Sequence, residues 1–230
     1  MINDNEILAY ETKKKSVDAR KKDDIHYSLS VVVSLTDKAY SRIISAKRPN
    51  PDVTLYKEEK LEIKRIIKTD DKMRPVVVGS GPAGLFCAYV LALSGLKPII
   101  IEQGQDVEKR TATVDKFWET GELSETTNVQ FGEGGAGTFS DGKLNTMVKD
   151  PYRRIPFVLE TFVRFGADPE ILYVNKPHIG TDVLKNILIN MRKEILSLGG
   201  EYRFETKFTN FETKKGDVSH IVLNDEEILP

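Results

Sequence analysis

The 230-residue chain carries 34 lysines and arginines against 35 aspartates and glutamates, a net charge of −1. That balance gives no electrostatic case for nucleic acid or an anionic membrane surface, both of which favour basic partners. With 40% hydrophobic and 30% charged residues the make-up is that of an ordinary globular protein, and three histidines and one cysteine leave little from which to build a metal site.

The start, Met1-Ile2-Asn3-Asp4-Asn5-Glu6, lacks the basic lead and apolar core of a signal peptide. Residues 1–72 read as a separate small α/β domain. The basic run Lys13-Lys14-Lys15 with Arg20-Lys21-Lys22 is interrupted by Asp18, Asp23 and Asp24 and has no interleaved aromatics, so it reads as solvated surface. Tyr27 to Ser34 is a strand bounded by polar residues. A helix comes next, from Thr36, its N-cap, to Ala46, through Ala39, Tyr40, Ile43 and Ile44. Pro49-Asn50-Pro51 is a turn. Leu61, Ile63 and Ile66 fit either a strand or a short helix, and the charged stretch Lys68 to Arg74 is the linker into the second domain.

Residues 73–230 open with Val76-Val77-Val78-Gly79-Ser80-Gly81-Pro82-Ala83-Gly84, an apolar strand running into G-x-G-x-x-G. A helical stretch from Leu85 to Ser94 ends at Gly95, and Pro98-Ile99-Ile100-Ile101 makes a second strand that stops at Glu102. This is a dinucleotide-binding βαβ pattern, and each part has a task. Gly79 permits the turn, Gly81 lets backbone approach a pyrophosphate, and Gly84 lets helix and sheet pack closely. The helix start, with Pro82 and Ala83, offers N–H groups and about half a positive charge to phosphates. Glu102 can accept both hydroxyls of an adenosine ribose and repels a 2′-phosphate, which favours FAD or NAD over NADP. Gln103 beside it joins the expected cofactor contacts. The longest apolar run, Leu85 to Leu93, is too short to span a bilayer. Cys87, inside it, reads as a small core residue in a cytoplasmic protein.

A helix from Asp106 to Thr120 has Val107, Val114, Phe117 and Trp118 as its apolar positions and Gly121 as its stop. Residues 122–146 are loop-like, with five glycines within the eleven residues from Gly132 to Gly142. A helix over Ile155 to Phe165 must carry Pro156 in its first turn. Thr181 caps a helix whose apolar side is Leu184, Ile187, Leu188, Met191, Ile195 and Leu198, stopped by Gly199-Gly200. Tyr202, Phe204, Thr206 and Phe208 alternate as a strand. A turn at Lys214 to Asp217 leads to a last strand, Val218 to Leu223, so that the tail is a β-meander.

The second glycine segment, Asn128 to Leu144, can form anion-binding concavities from Gly134, Gly135, Ala136 and Gly137, with hydrogen bonds from Asn128, Thr138 and Ser140 and one charge from Lys143. A second cradle about 50 residues beyond the first suits a long cofactor lying across the sheet edge. The alternative is a glycine-rich surface loop. The spacing predicts that this segment folds back over the first turn.

On Lys15 to Lys22, Gly79-Ser80-Gly81-Pro82-Ala83-Gly84-Leu85-Phe86, Asn128 to Thr146 and Lys176 to Asp182, the chain resembles the FAD-dependent dehydrogenases of bacteria that are related to the glutathione-reductase-like FAD fold. The resemblance implies an α/β, Rossmann-like FAD-binding domain behind a small ferredoxin-like one, FAD as cofactor, and oxidoreductase activity with a nicotinamide nucleotide or another electron partner. It gives no substrate. Members of that family are longer, so the chain is expected to be an N-terminal portion with an open, shallow cleft, weak or no FAD retention and little turnover on its own. Lys143 reads either as a cation at the flavin edge or as a surface lysine beside an Asp-Gly turn. His178 reads as a proton donor or as a structural hydrogen bonder. Arg110 either reaches the cofactor phosphates or faces solvent. A non-catalytic nucleotide- or partner-binding module stands as the alternative function. A flavin-dependent RNA-modifying protein is disfavoured by the near-neutral charge.

Overall fold

The computed structural model describes residues 2–46, 50–66, 74–144, 146 and 148–229. The chain divides into two units, one of residues 1–61, 143–163 and 168–178, the other of residues 62–142, 164–167 and 179–230. Most of the stretch read as a linker, Lys68 to Met73, lies outside the described residues, as does Pro49.

In the first unit β1 (Ile7–Lys21) and β2 (Asp24–Leu35) form a long antiparallel hairpin. The basic run read as plain surface is therefore strand. Its alternation is hidden because the register shifts three times along the pair, and each extra residue turns later side chains to the other face. β2 alternates cleanly, with Tyr27, Leu29 and Val31 opposite Val17, Lys15 and Thr12. α1 (Asp37–Ile44) comes next, capped as expected by Thr36, whose side chain accepts from the Ala39 N–H at 3.4 Å. The Arg42 guanidinium bridges to Glu6 at 2.7 Å. Residues 15 and 174 form a parallel bridge, the Lys15 N–H donating to Tyr173 O at 2.7 Å. α4 (Arg154–Arg164) lies almost wholly in this unit and carries Pro156 in its first turn, where no N–H is missed.

The second unit is built on a parallel sheet. β3 (Val76–Val78) and β4 (Ile99–Ile101) are adjacent and parallel, joined through α2 (Pro82–Leu93). β5 (Glu201–Arg203) extends the sheet on the far side of β4, giving the order β3-β4-β5. The alternation from Tyr202 to Phe208 is thus shared by two elements. Glu205 takes a left-handed φ of 53°, which ends β5 and redirects the chain into β6 (Phe208–Lys214). β6, β7 (Asp217–Leu223) and β8 (Glu227–Leu229) form the antiparallel meander. Its first turn is the two residues Lys215 (φ 57°) and Gly216 (φ 93°), the twist that suits a tight hairpin. Ile221 and Leu223 pack on Ile99 and Ile101, joining the meander to the parallel sheet.

α3 (Val107–Thr120) starts at Asp106, whose carboxylate accepts from the Lys109 N–H at 2.9 Å, and stops at left-handed Gly121. Its buried stripe is Val107, Arg110 and Val114. Trp118, read as a core position, is 69% exposed because the stripe recruits Arg110 instead. α5 (Thr181–Ser197) buries Ile187, Leu188, Met191 and Ile195 on one face, each contributing roughly 1.5–3 kcal/mol. Gly180, not Thr181, is the N-cap, and no side chain caps this helix. Leu61, Ile63 and Ile66 lie in neither strand nor helix, Ile66 being tied by its N–H to Ser94 O. Cys87, read as core, is exposed on α2, whose buried positions are Leu85, Ala88, Tyr89 and Ala92.

Candidate functional site

The first glycine turn links the end of β3 to the start of α2. Gly79 has φ 90° and its N–H donates to Ile101 O at 2.7 Å, which fastens the turn to the neighbouring strand. A Cβ on Gly84 would overlap the Gly79 carbonyl, so a side chain there forces the helix off the turn. Gly81 is the N-cap of α2 and Pro82 its first residue, with no side chain capping that end. Its outward-pointing N–H groups, on exposed Ala83 and half-buried Gly84, are what an anion would meet.

Glu102 comes directly after β4 and is 5% exposed. One carboxylate oxygen accepts from the Ser80 N–H and hydroxyl, each at 2.8 Å, and the other from the Gly104 N–H at 2.9 Å. A carboxylate offers about four lone-pair sites, and three are taken by these donors. Glu102 therefore organises the turn itself and keeps about one acceptor site for a ribose hydroxyl rather than the two read from sequence.

The second glycine segment lies on the first. The Gly134 N–H donates to Ser80 O at 2.9 Å, and a Cβ added to Gly135 would stand 3.3 Å from Gly81 Cα. Gly132, Gly134 and Gly135 have φ of 115°, 84° and 65°, a path that L side chains rarely follow. Arg110 holds that path. It is fully buried, its Nε donating to Asn128 O at 3.0 Å and one terminal nitrogen to the carbonyls of Gly132, Glu133 and Gly135 at 3.3, 2.6 and 2.9 Å. Neither sequence reading of Arg110 describes this, since the guanidinium serves main-chain carbonyls of the loop. Its other terminal nitrogen is buried without a hydrogen-bond partner, and burial lowers its pKa to about 10. Arg110 and Lys185 each stand over the Phe139 ring, at 4.8 and 4.9 Å from its centre.

Ala136 and Gly137 are exposed, Thr138 is fully buried, and the Ser140 hydroxyl donates to Gly137 O at 3.0 Å. Glu133, which sequence reasoning passed over, is also fully buried. A glutamate set between glycines was the available signal, but nothing in composition tells a buried one from a solvated one. Burial pushes its carboxyl up to about 7, against the opposing pull of Arg192 and the Val107 N–H. Between the two turns an open cleft of ≈380 Å³ is lined by Gly79, Gly81, Glu102, Gln103, Gly132 and Gly135 among others.

Lys143 and His178 belong to the first unit, where both are exposed and an antiparallel bridge pairs them, the Leu144 N–H donating to Pro177 O at 2.9 Å. Among the described residues no group of three or more histidine, cysteine, aspartate or glutamate side chains could hold a metal ion, and no helix is long and apolar enough to cross a membrane.

Residues 74–114, from the strand before the glycine turn into α3, match the FAD binding domain family. The cofactor is FAD. The site fits it on its own terms: FAD brings a pyrophosphate for the uncapped α2 start, a ribose for Glu102, and a length that needs backbone approach at both turns, where a Cβ on Gly135 would press on Gly81 and Pro82. An uncharacterized protein of Clostridium beijerinckii (strain ATCC 51743 / NCIMB 8052) is 46% identical over 215 residues, which are 94% of this chain and 39% of that protein. The chain thus spans well under half of that relative. Among solved structures, OTEMO in complex with FAD and NADP is 18% identical, with 68% of this chain and 23% of that one covered and a TM-score of 0.41. PqsL, a probable FAD-dependent monooxygenase from Pseudomonas aeruginosa, is 13% identical over 67% of this chain and 39% of that one, with a TM-score of 0.38.

Proposed function

We propose that the chain is the FAD-holding part of a flavin-dependent oxidoreductase of the dehydrogenase type. In this reading residues 73–230 are a glutathione-reductase-like, Rossmann-type FAD domain, and residues 1–72 are the small ferredoxin-like α/β domain before it. The observation that carries the reading is the meeting of two glycine turns beside Glu102, at the carboxyl ends of parallel strands. That is where open α/β sheets bind nucleotides.

FAD, when bound, supplies the electron-transfer chemistry, and the protein supplies position and electrostatics. The α2 start receives the pyrophosphate, Glu102 holds Ser80 and the ribose, and Arg110 fixes the loop that closes over them. Lys143 and His178 are the proposed groups for the flavin edge and for proton transfer to substrate. A nicotinamide nucleotide is the electron partner proposed, since flavins and nicotinamides exchange hydride. A cytoplasmic location agrees with the single cysteine.

The test is FAD titration of the purified chain, with flavin absorbance read after desalting. A hydrogen bond to a charged group contributes about 1.5–3 kcal/mol, so Glu102→Ala is expected to weaken FAD binding roughly 10- to 150-fold. Unchanged affinity removes Glu102 from the site. A second reading, a nucleotide-binding module that docks a partner, is favoured by the hairpin face on which Tyr10, Val17, Ile25 and Tyr27 are all more than 60% exposed. Folded protein that takes up no flavin selects it.

A further inference from the structure

Two buried carboxylates flank the glycine turns. Glu102 belongs to the first, and Glu133 has no part in the proposed cofactor contacts. The main-chain N–H of Glu133 donates to Gln105 O at 3.0 Å, and its carbonyl accepts from Arg110 at 2.6 Å. One side-chain oxygen accepts the Val107 N–H, the first of α3, at 2.8 Å. The other stands 3.0 Å from Arg192 Nε on α5, an ion pair whose N–H is not aimed along the contact. Arg192 also pairs with Glu108. One residue is thereby tied to the start of one helix and the side of another. The next residue along, Gly134, is the one whose N–H reaches Ser80 O, and Gly135 after it meets Gly81.

We propose that Glu133 is the positioning residue of the FAD site, the side chain that seats the second glycine turn on the first. The proposal deepens the FAD-holding reading and rests on it. Packing alone does not account for an acid here, because an apolar residue of similar volume fills a buried site without the cost of removing a charge from water. The carboxylate instead presents acceptors in two directions, one to a helix N-terminus, where a negative charge is favoured, and one to a guanidinium.

The arrangement has a pH signature. Glu133 is faced by Asp106, Glu108 and Arg110 from α3, by Arg192 from α5 and by Tyr202 from β5. In the seated loop, burial raises its carboxyl to about 7. A loop lifted into water returns it to the ordinary carboxylate range. Between the ordinary carboxylate range and about 7 the seated form therefore holds the extra proton, so seating is strongest below that window, weakens as pH rises through it and is level above about 7.

FAD binding, followed by quenching of flavin fluorescence, and exchange of the Gly134 and Gly135 amides in the FAD-free chain, corrected for intrinsic rate, are measured between about pH 4 and pH 8, spanning the transition that linkage predicts. Wild-type affinity is expected to fall by up to ~10-fold per pH unit between the ordinary carboxylate range and about 7 and to level off above it, with amide protection falling in step. Glu133→Gln stays neutral and still accepts from Val107, so it flattens both profiles. Glu133→Ala, with no acceptor, weakens binding by at least ~10-fold at the acid end of the range, where the wild-type acid is neutral and still accepts from Val107. Profiles that are flat in the wild type, or that keep their slope in Glu133→Gln, overturn the proposal while leaving FAD binding to stand. Should the wild type bind no FAD at any pH, the FAD-holding reading fails, and amides that stay equally protected across the range then overturn the seating role as well. If Glu133→Gln does not fold, the wild-type profiles alone decide.

Discussion

Replacing Arg110 with methionine keeps most of the stem volume and removes the charge and all of the donors. In the native loop those donors satisfy the carbonyls of Asn128, Gly132, Glu133 and Gly135, none of which lies in regular secondary structure. Three of them keep a second donor, Gly132 O from the Gly135 N–H, Gly135 O from the Thr138 N–H and Glu133 O from the Thr138 hydroxyl. Asn128 O loses its donor at about 1–3 kcal/mol, and breaking a buried charged network from one side costs about 3–5 kcal/mol because water repairs only part of the loss. The lower end applies here: the lowered pKa shows that burying this cation already opposes folding, and the substitution relieves that cost. A net loss of about 3 kcal/mol corresponds to a fall in melting temperature of roughly 6–12 °C for a chain of this size. Differential scanning calorimetry with far-UV circular dichroism measures it, the transition of the second unit being the one that moves. A shift below about 2 °C, under 1 kcal/mol, would refute the claim that Arg110 holds the loop.

Gly84→Ala sets a methyl group against the Gly79 carbonyl; FAD affinity is expected to fall at least ~10-fold by titration, the equivalent of about 1.4 kcal/mol. For pH, Glu133 has its carboxyl raised from 4.5 to about 7 in the folded protein, so its contribution to stability is complete below pH 4.5 and is lost as pH climbs through 7. At about 1.4 kcal/mol per pKa unit this amounts to about 3 kcal/mol, seen as a midpoint of urea unfolding that drops across the window in the wild type and is level in Glu133→Gln. Asp106→Ala, which removes the α3 cap, is expected to cost about 1 kcal/mol, whereas Thr181→Ala, at a position that caps nothing, changes denaturant stability by less than about 0.5 kcal/mol.

The βαβ unit was legible because every part of it demands a particular residue: strand valines, glycines where a Cβ collides, an acid just past the second strand. α3 and α5 announced themselves through apolar spacing, with Asp106 and Gly121 as punctuation. Two kinds of feature stayed hidden. β1 changes face at each register shift, so no period-two pattern survives along it. The break at Glu205 is invisible because the aromatic alternation runs straight across it. In the site, glycine spacing pointed to both turns. The roles of Arg110 and Glu133 did not show, because a charge on a helix or in a loop reads as solvated, and what buries these two is main chain brought from elsewhere in the fold.

The hairpin of the first unit bears on how the chain is made. From Tyr27 to Leu35, β2 is a run of valine, leucine, tyrosine and serine without a single charge. Segments of this kind stack readily with copies of themselves. The partner strand that covers one edge of it carries Lys13, Lys14, Lys15, Arg20 and Lys21, and lysines along an edge strand repel a second hairpin before it can pair. The basic run that resembles a nucleic-acid patch is thus expected to keep the β1 edge of the hairpin from pairing with a second copy, and neutralising Lys13, Lys14 and Lys15 should lower soluble yield.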